Sequence, residues 1–597
     1  MQRSPCVCVD FRKSGLTCGQ RHSSKPSTSR PSQTLTTKCG CSSVDMTLFF
    51  LLVAGLCAAQ LSLAQHERKV GRLSRPGVVF PSRGEAWPQP MNQTTGSNVI
   101  LLDPSTFAFV FVGPPGGCDV ADRALKRYRD QLLFNGCARS GVPTGNLRRV
   151  PPRHRFGGVP VASISSLLVH LRGQCEHTPQ HDMDEAYTLQ LTAQSQPSLS
   201  ANSVWGLLRG LETFSQIVYP YDGTQFAVNE TVIHDAPRFK HRGLLIDTSR
   251  HFLPLKSIVE TLDAMAYNKM NVLHWHVTDD QSFPFVSRTF PSLSEKGAFD
   301  PETHVYKPTE VQYVIDEAAA RGIRVMAEFD TPGHTLSWGE AYPELLTTCY
   351  DGHVPNGRLG PVDPTRNETY AFLGHFFAEV ARVFPDQYLH LGGDEVSFLC
   401  WMSNPNVTSF MRKMGFPWRF DKLEEYYIQR LLEIIQTLRK SYVVWQEVFD
   451  NKVQIAPDTV VHVWKQPQEL ELASVTSAGY KALLSACWYL DHISYGSDWK
   501  KYYACDPQQF PGTSEQKSLV LGGEACVWGE FVDGTNLISR TWPRASAAAE
   551  RLWSPATFKS AKDAAPRLEE HRCRMMRRGL AVEPQNGPGF CECDIAA

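Results

Sequence analysis

Eight short apolar runs, separated by polar loops and helical stretches, predict an α/β chain built on a (β/α)8 barrel. The runs fall at residues 243–246, 272–276, 323–328, 388–391, 442–445, 460–463, 481–485 and 519–522. Helical spacing occupies 255–269, 309–321, 370–384 and 421–439. Runs this apolar suit strands buried on both faces, as in a parallel sheet. A doubly wound open sheet is the alternative, but no Gly-rich nucleotide fingerprint follows the first run. A second observation is the change of pattern near residue 236. Upstream of it lie a β-rich run at 106–112, helical spacing at 121–134, a strand at 186–191 and an amphipathic helix at 203–218. That helix gathers Val204, Leu207, Leu208, Leu211 and Phe214 on one face. A smaller, non-catalytic α+β domain over 100–236 is therefore expected to precede a barrel over 237–597, and 597 residues suffice for two cores.

The N-terminal segments read differently. The apolar run from Met46 to Ala59, with small residues through Ala64, has the form of a secretory signal over 46–64. Residues 1–45, rich in Ser, Thr, Arg and Cys, read as a non-native or unstructured extension, and 65–99 as a leader or linker. A signal retained as a membrane anchor is the alternative; no later run is long and apolar enough to span a bilayer, so stable membrane insertion is not expected. The basic loop holding Gly141, Pro143, Gly145, Pro151 and Pro152 is a natural site of proteolytic nicking.

Composition removes one class of partner. Lys+Arg 60 against Asp+Glu 61 leaves a net charge of −1, and no basic cluster interleaves with aromatics, so nucleic acid is not expected. Secretory entry makes cysteines legible as disulfides. Downstream of the signal stand Cys118, Cys137, Cys175, Cys349, Cys400, Cys487, Cys505, Cys526, Cys573, Cys591 and Cys593, an odd set that leaves a free thiol or an intermolecular bridge. They lack the companion histidine spacing of a zinc site, and no metal or other cofactor is expected. Sequons at Asn92, Asn229, Asn367 and Asn406 agree with a glycosylating pathway.

A barrel places its chemistry at the C-terminal rim, drawn from several strand ends. The fourth run, Tyr388 to Leu391, ends in Gly392-Gly393 and delivers Asp394 and Glu395. Arg250 and His251 follow the first run, Asp279 and Asp280 the second, and Asp330 and His334 the third. Trp445 and Glu447 follow the fifth, Trp464 the sixth, and Trp488, Tyr489 and Asp491 the seventh. The eighth contributes Glu524, Trp528 and Glu530. Acids, Arg, His and indoles at one rim make a carbohydrate site: aromatic faces stack on a pyranose while carboxylates and guanidinium grip hydroxyls. Each residue also has a bland reading, with tryptophans as core, Asp330 as a turn cap and His334 as a structural histidine.

With these motifs laid out, the chain resembles the lysosomal-type β-N-acetylhexosaminidases, glycoside hydrolase family 20. The resemblance runs from about residue 100 to the C-terminus and rests on HRGLLIDTSRHFLP, HWHVTDDQSFP, AEFDTPGHTLSWG, LHLGGDEV, VVWQEVFDNK, WYLDHISYG and GGEACVWGE. It looks closer to the β-type subunit than to the α-type. The resemblance implies substrate-assisted retention, an exception to the two-carboxylate scheme. Glu395 would be the general acid and base, Asp394 would hold the substrate's acetamido N–H, and Tyr489 would hold its carbonyl. Trp445, Trp464 and Trp528 would cage the methyl group, and Arg250 and Glu530 would bind ring hydroxyls. Asp279 and His334 would tune the proton on Glu395.

In that family the α-type subunit carries Asn-Arg where this chain has Asp491-His492, and the β-type carries Asp-Leu. Asp491 would repel a 6-sulfate and favour neutral GlcNAc and GalNAc termini on oligosaccharides, glycoproteins or glycolipids, while a protonated His492 would restore some tolerance of anions. The resemblance further implies disulfides Cys118–Cys175, Cys349–Cys400 and Cys573–Cys591, a homodimer or a heterodimer with a related subunit, and a lysosomal or secreted destination. Cys487 and Cys505 depart from the vertebrate pattern and offer an extra bridge. Two other functions are weighed against an exo-glycosidase. An inert glycan-binding protein on the same scaffold would be expected to have lost Asp394, Glu395 or Tyr489. An endo-chitinase would carry Asp-x-x-Asp-x-Asp-x-Glu, which is absent from the sequence.

Overall fold

The computed structural model describes residues 84–134, 160–221, 225–492 and 494–591. The extension, the signal, the nick-prone loop, Cys137 and Cys593 lie outside the described residues. The first sheet contains β1 (Asn92–Leu102), β2 (Ala108–Val112), β3 (Pro160–Ile164), β4 (Ser166–Leu171), β5 (Tyr187–Leu191), β6 (Ser198–Ala201), β7 (Tyr219–Pro220) and β8 (Phe226–Asp235). Its order is β2-β4-β6-β5-β8-β1-β3, with β7 on β8, and it mixes parallel and antiparallel pairs. This corrects the reading of 65–99 as leader. From Gly84 on that stretch belongs to the fold, because Trp87 is fully buried and β1 pairs with β8 from Asn92.

The helical expectation at 121–134 resolves into a helix Asp119–Arg127 that runs into a π-helical turn, Tyr128–Leu132. The helix Val204–Ile217 starts on Ser203, whose side chain accepts from Gly206 N, and all its residues are buried, not one face only. The reason lies on its polar side, which meets the barrel. Arg209 bonds Glu185 and the carbonyls of Arg321 and Gly322, and Gln216 donates to the Tyr267 carbonyl. Glu185 also holds Arg242 at 2.6 Å, and Asp235 holds Lys269 at 2.8 Å.

The barrel is closed by β9 (His241–Asp247), β10 (Val272–Thr278), β11 (Arg324–Phe329), β14 (Tyr388–His390), β15 (Ser441–Trp445), β16 (Val460–Val463), β17 (Lys481–Leu484) and β18 (Val520–Val527), all parallel. Between β11 and β14 an antiparallel hairpin is inserted, β12 (Leu346–Asp351) and β13 (Val354–Val362). The interior is layered. Val272, Met326, Tyr388, Val443, Val460 and Leu483 form an apolar floor near the strand starts. Above it comes a polar layer of His274, His276, Glu328, His390, His462 and Glu524, all essentially without exposure. Alternation along β10 explains part of it: His274 and His276 turn inward to carboxylates, while Trp275 packs outward on Tyr306 and Phe384. The eighth strand is longer than 519–522, so Glu524 sits in this interior layer and not at the rim. Among the described residues no helix is long and apolar enough to cross a membrane.

Candidate active site

Above the polar layer, β14 ends at His390 and the chain turns through Gly392 (φ +69°) and Gly393 (φ +97°). A Cβ on Gly392 would lie 1.6 Å from Asp330 Oδ1, so only glycine permits Asp330 to come this close and accept from Gly393 N at 2.7 Å. The turn delivers two adjacent acids to different environments. Asp394 is buried, and its Oδ1 accepts no hydrogen bond from any of the described residues. Glu395, held at φ +50°, has a side chain 59% exposed. His334 is likewise left-handed at φ +54°, and such strained backbone in non-glycine residues concentrates at functional sites.

His334 faces four carboxylates. Its Nδ1 lies 3.1 Å from Asp279, and its Nε2 lies 3.9 Å from both Asp330 and Asp394 and 3.8 Å from Glu395. Burial opposes charge on the ring, but Asp330, the bond to Asp279 and Asp394 outweigh it, and the imidazole is pushed up to about 11. Burial, and then Asp394 beside it, push Asp330 well above the usual carboxylate range. Burial would also raise Asp279, but hydrogen bonds from His276 and His334 hold it below its ordinary value. Arg250 spans Asp247 (3.1 Å) and Asp279 (2.8 Å) with its guanidinium carbon 5.1 Å from the Trp528 ring centre. Burial works against that charge, and Asp247 and Asp279 reverse it, so the guanidinium stays cationic.

The aromatic residues come together on the other side. Trp445 lies 6.4 Å from Trp464 and 6.1 Å from Trp528, and Trp464 stacks on Tyr489 at 6.0 Å and 22°. Leu245 and Cys526 complete the cluster. Trp464 Nε1 donates to Glu447, and its backbone N donates to Gln446. Tyr489 bridges β-fashion to Cys526, and burial raises its hydroxyl well above the ordinary tyrosine value, with Asp394 and Asp491 adding to the effect. Asp491 accepts from Trp528 N at 3.5 Å; burial raises it, and Glu530 contributes. Glu530 is exposed at the same edge, and the exposed His492 ring lies 5.5 Å from Tyr489.

Not every rim residue reaches the site. Trp488 is fully buried and donates to the Tyr502 carbonyl, which makes it core. Asp280 fixes Leu336 N. The sequence did not reveal Glu328, which accepts from Trp445 Nε1 at 2.8 Å, and it placed Asp330 at the rim without assigning it a role. The alternating histidines of HWH were the available signal for an inward polar face. His274, His390 and His462 converge within 4.8 Å, but both ring nitrogens of His274 are already on carboxylates.

Disulfides join Cys118–Cys175, Cys349–Cys400, Cys487–Cys505 and Cys573–Cys591, and Cys526 is a buried free thiol. Cys349–Cys400 ties the inserted hairpin to the segment after Glu395, and Cys487–Cys505 flanks Tyr489 and Asp491. Asn92, Asn367 and Asn406 are exposed. Asn229 is half-buried, donating to the Gly96 carbonyl and accepting from Tyr219.

Comparison with known proteins decides the family. Residues 239–556 match the glycosyl hydrolase family 20 catalytic domain, and 86–217 match the beta-acetyl hexosaminidase like domain. The chain belongs to glycosyl hydrolase family 20. Beta-hexosaminidase subunit alpha of Bos taurus is 50% identical over 527 residues, covering 87% of this chain and 97% of that one. Beta-hexosaminidase subunit beta of Mus musculus is 50% identical over 522 residues, covering 86% and 94%. Equal identity to both types does not favour the β-type over the α-type. The chitobiase of Flavobacterium johnsoniae superposes with a TM-score of 0.69 at 29% identity, covering 83% of this chain and 73% of that one. This family 20 chain is thus a glycosidase of the β-hexosaminidase kind.

Proposed function

We propose that this family 20 enzyme removes terminal, non-reducing β-linked GlcNAc and GalNAc by substrate-assisted retention, with Asp394, Glu395 and Tyr489 as its catalytic residues. The observation that carries the assignment is the unpartnered, buried Oδ1 of Asp394 beside a four-ring aromatic wall. A buried carboxylate oxygen without a donor is costly, and an acetamido N–H is the donor that a substrate methyl packed on this wall would bring to it. Glu395 protonates the glycosidic oxygen as the acetamido oxygen attacks the anomeric carbon. The C–O bond to the leaving group breaks and an oxazolinium ion forms. Asp394 offsets the positive charge as it develops, and Tyr489 O–H holds the acetamido carbonyl. Water then attacks the same carbon, Glu395 takes its proton, and the acetamido group is released. A conventional retaining enzyme needs a second carboxylate ~5–5.5 Å from the acid as nucleophile; here the substrate supplies that atom.

The exposure of Glu395 supports its double duty, since it has to meet both an aglycone and incoming water. Arg250, with Asp279 and His334 behind it, and Glu530 would bind ring hydroxyls at the non-reducing end. Asp491 supports a β-type preference for neutral termini, and His492 would soften it once protonated. The similarity to hexosaminidase subunits supports a lysosomal or secreted protein that dimerises with itself or a related subunit and acts on oligosaccharide, glycoprotein or glycolipid substrates. The test is chromophore release from β-GlcNAc and β-GalNAc glycosides. Glu395→Gln is expected to lose ~10²–10⁴-fold in kcat, the range for removing a general acid, with an unchanged melting temperature. An inert wild type, or an undiminished variant, would defeat the reading.

A further inference from the structure

Below the rim, an unbroken chain of carboxylates and imidazoles descends through the barrel. His334 Nδ1 meets Asp279 Oδ1 at 3.1 Å, and Asp279 Oδ2 meets His276 Nε2 at 2.9 Å. His276 Nδ1 meets Glu328 Oε2 at 2.6 Å, and the same oxygen meets His274 Nε2 at 3.0 Å. His274 Nδ1 meets Glu524 Oε2 at 2.7 Å, and Glu524 Oε1 meets His241 Nε2 at 2.5 Å. Carboxylates only accept, so a ring with a carboxylate on each nitrogen must donate from both. With Asp279, Glu328 and Glu524 ionised, as their lowered values favour, His274 and His276 are imidazolium ions. His241 ends the charged series, because its Nδ1 accepts from Arg324 at 3.4 Å and only its Nε2 donates.

Glu328 is the junction of this chain with the aromatic wall. Its Oε2 holds His274 and His276, while its Oε1 accepts from Trp445 Nε1 at 2.8 Å and lies 3.0 Å from His390 Nδ1. It has no exposure and cannot touch a sugar. We propose that Glu328 is a positioning residue for both halves of the site, fixing the Trp445 indole through one oxygen and keeping His276 charged, and hence Asp279 anionic beneath His334, through the other. This rests on the hexosaminidase reading above.

The groups facing this junction agree with the assignment. His274 and His276 come from β10, Asp330 from the end of β11 itself, His390 from β14, and Glu524 and Cys526 from β18. Asp247, at the end of β9, faces His276, as does the edge of the Trp528 ring at 4.9 Å. Burial opposes charge on His276, but Glu328 and the bond to Asp279 prevail, pushing it up to about 10. Glu328 itself lies well below its ordinary value: burial would raise it, and His390, His276 and His274 overcome that.

The test is the pH profile of kcat/KM on a chromogenic β-GlcNAc glycoside for the full chain and for Glu328→Gln. The amide keeps an acceptor for Trp445 but no charge for His276. The alkaline limb, set in the wild type by loss of the Glu395 proton, is expected to shift to lower pH as loss of the His276 proton, at ~6.5 for an ordinary histidine, adds to it, with kcat reduced about tenfold and KM little changed. Trp445→Phe, which removes the indole N–H together with one ring of the aromatic face and leaves Glu328 charged, is expected to raise KM and leave the limb in place. A lowered melting temperature in Glu328→Gln with an unmoved limb would make the role purely structural and overturn the proposal. Neutron diffraction on the wild-type protein at neutral pH decides independently of activity and of whether the variant folds. Deuterons on both nitrogens of His276 support the proposal, and one deuteron overturns it. A wild type inactive on the glycoside but doubly deuterated at His276 would sink the functional reading and leave the charge chain standing.

Discussion

The first sheet closes over Phe107, Phe109, Phe134 and Phe214, whose rings meet edge-on or stacked at 5.5–6.1 Å, whereas the barrel closes over imidazoles and carboxylates. Both interiors are buried, yet they answer substitution differently. An apolar core loses what the deleted atoms and the cavity left behind are worth, and nothing else nearby changes its chemistry. In the barrel each group fixes the charge of the next, so a change at one position is transmitted to the rim. Scaffold and catalytic machinery thus differ in what their interiors are made of as well as in where they lie.

The sharpest break in this comparison is Phe214→Ala. Phe214 is fully buried against Phe107 and Phe109 and far from the acids in sequence. Truncating it is expected to cost ~3–5 kcal/mol of stability, as for other buried aromatics, while kcat per folded molecule stays at the wild-type value. Urea unfolding alongside active-site titration separates the two quantities. A parallel fall in kcat would show that the first domain shapes the site directly.

Histidines in the two regions give opposite pH signatures. His276 has its proton held to about 10, so its contribution to stability is complete below the unfolded value of ~6.5 and disappears as pH rises through 10. His181, between β4 and β5, is lowered to about 3, first by burial and then by Arg324, so its contribution is present above ~6.5 and is lost as pH falls toward 3. The deficit in melting temperature of His276→Gln is therefore expected to be largest at pH 6 and below and to shrink in alkali. His181→Gln is expected to gain on the wild type as the solution is acidified. Differential scanning calorimetry from pH 4 to 10 reads both, and slopes of the same sign would refute the contrast.

The same division governs what could be read from the chain. Strand ends are local events: an apolar run stops, glycines follow, and a reactive side chain stands after them, so Arg250, His334, Asp394, Glu395, Tyr489 and the three indoles were legible one strand at a time. Glu328 and Glu524 lie within strands, and their meaning depends on which way the pleat turns them and on partners more than 50 residues away. Runs treated as uniformly apolar hide such residues. The buried polar face of the helix Val204–Ile217 escaped for a similar reason, since amphipathic spacing specifies one packed face and is silent about a second neighbour. Trp87 and β1 were hidden by the Pro, Gly and Gln around them, a composition that resembles a linker until pairing with β8 supplies the missing hydrogen bonds.

The smallest expected effect lies at the rim, where charge meets solvent and neither kind of interior applies. Glu530 stands close enough to Asp491 to oppose its ionisation, so a sulfate on the sugar's 6-position bound at this edge would meet two carboxylates. Repulsion between partly solvated charges a few ångströms apart is on the order of 1 kcal/mol, so Asp491→Asn is expected to raise the 6-sulfated to unsulfated ratio of kcat/KM roughly fivefold. Burial, and then the Glu530 charge, oppose ionisation of Asp491, while its own backbone N–H and His492 favour it, and the net effect is upward. The wild-type ratio should therefore climb as pH falls and Asp491 gains a proton, whereas in Asp491→Asn the part of the slope due to this residue is absent. Matching profiles in the two proteins would remove Asp491 from specificity and leave the choice between neutral and anionic termini to residues elsewhere on the rim.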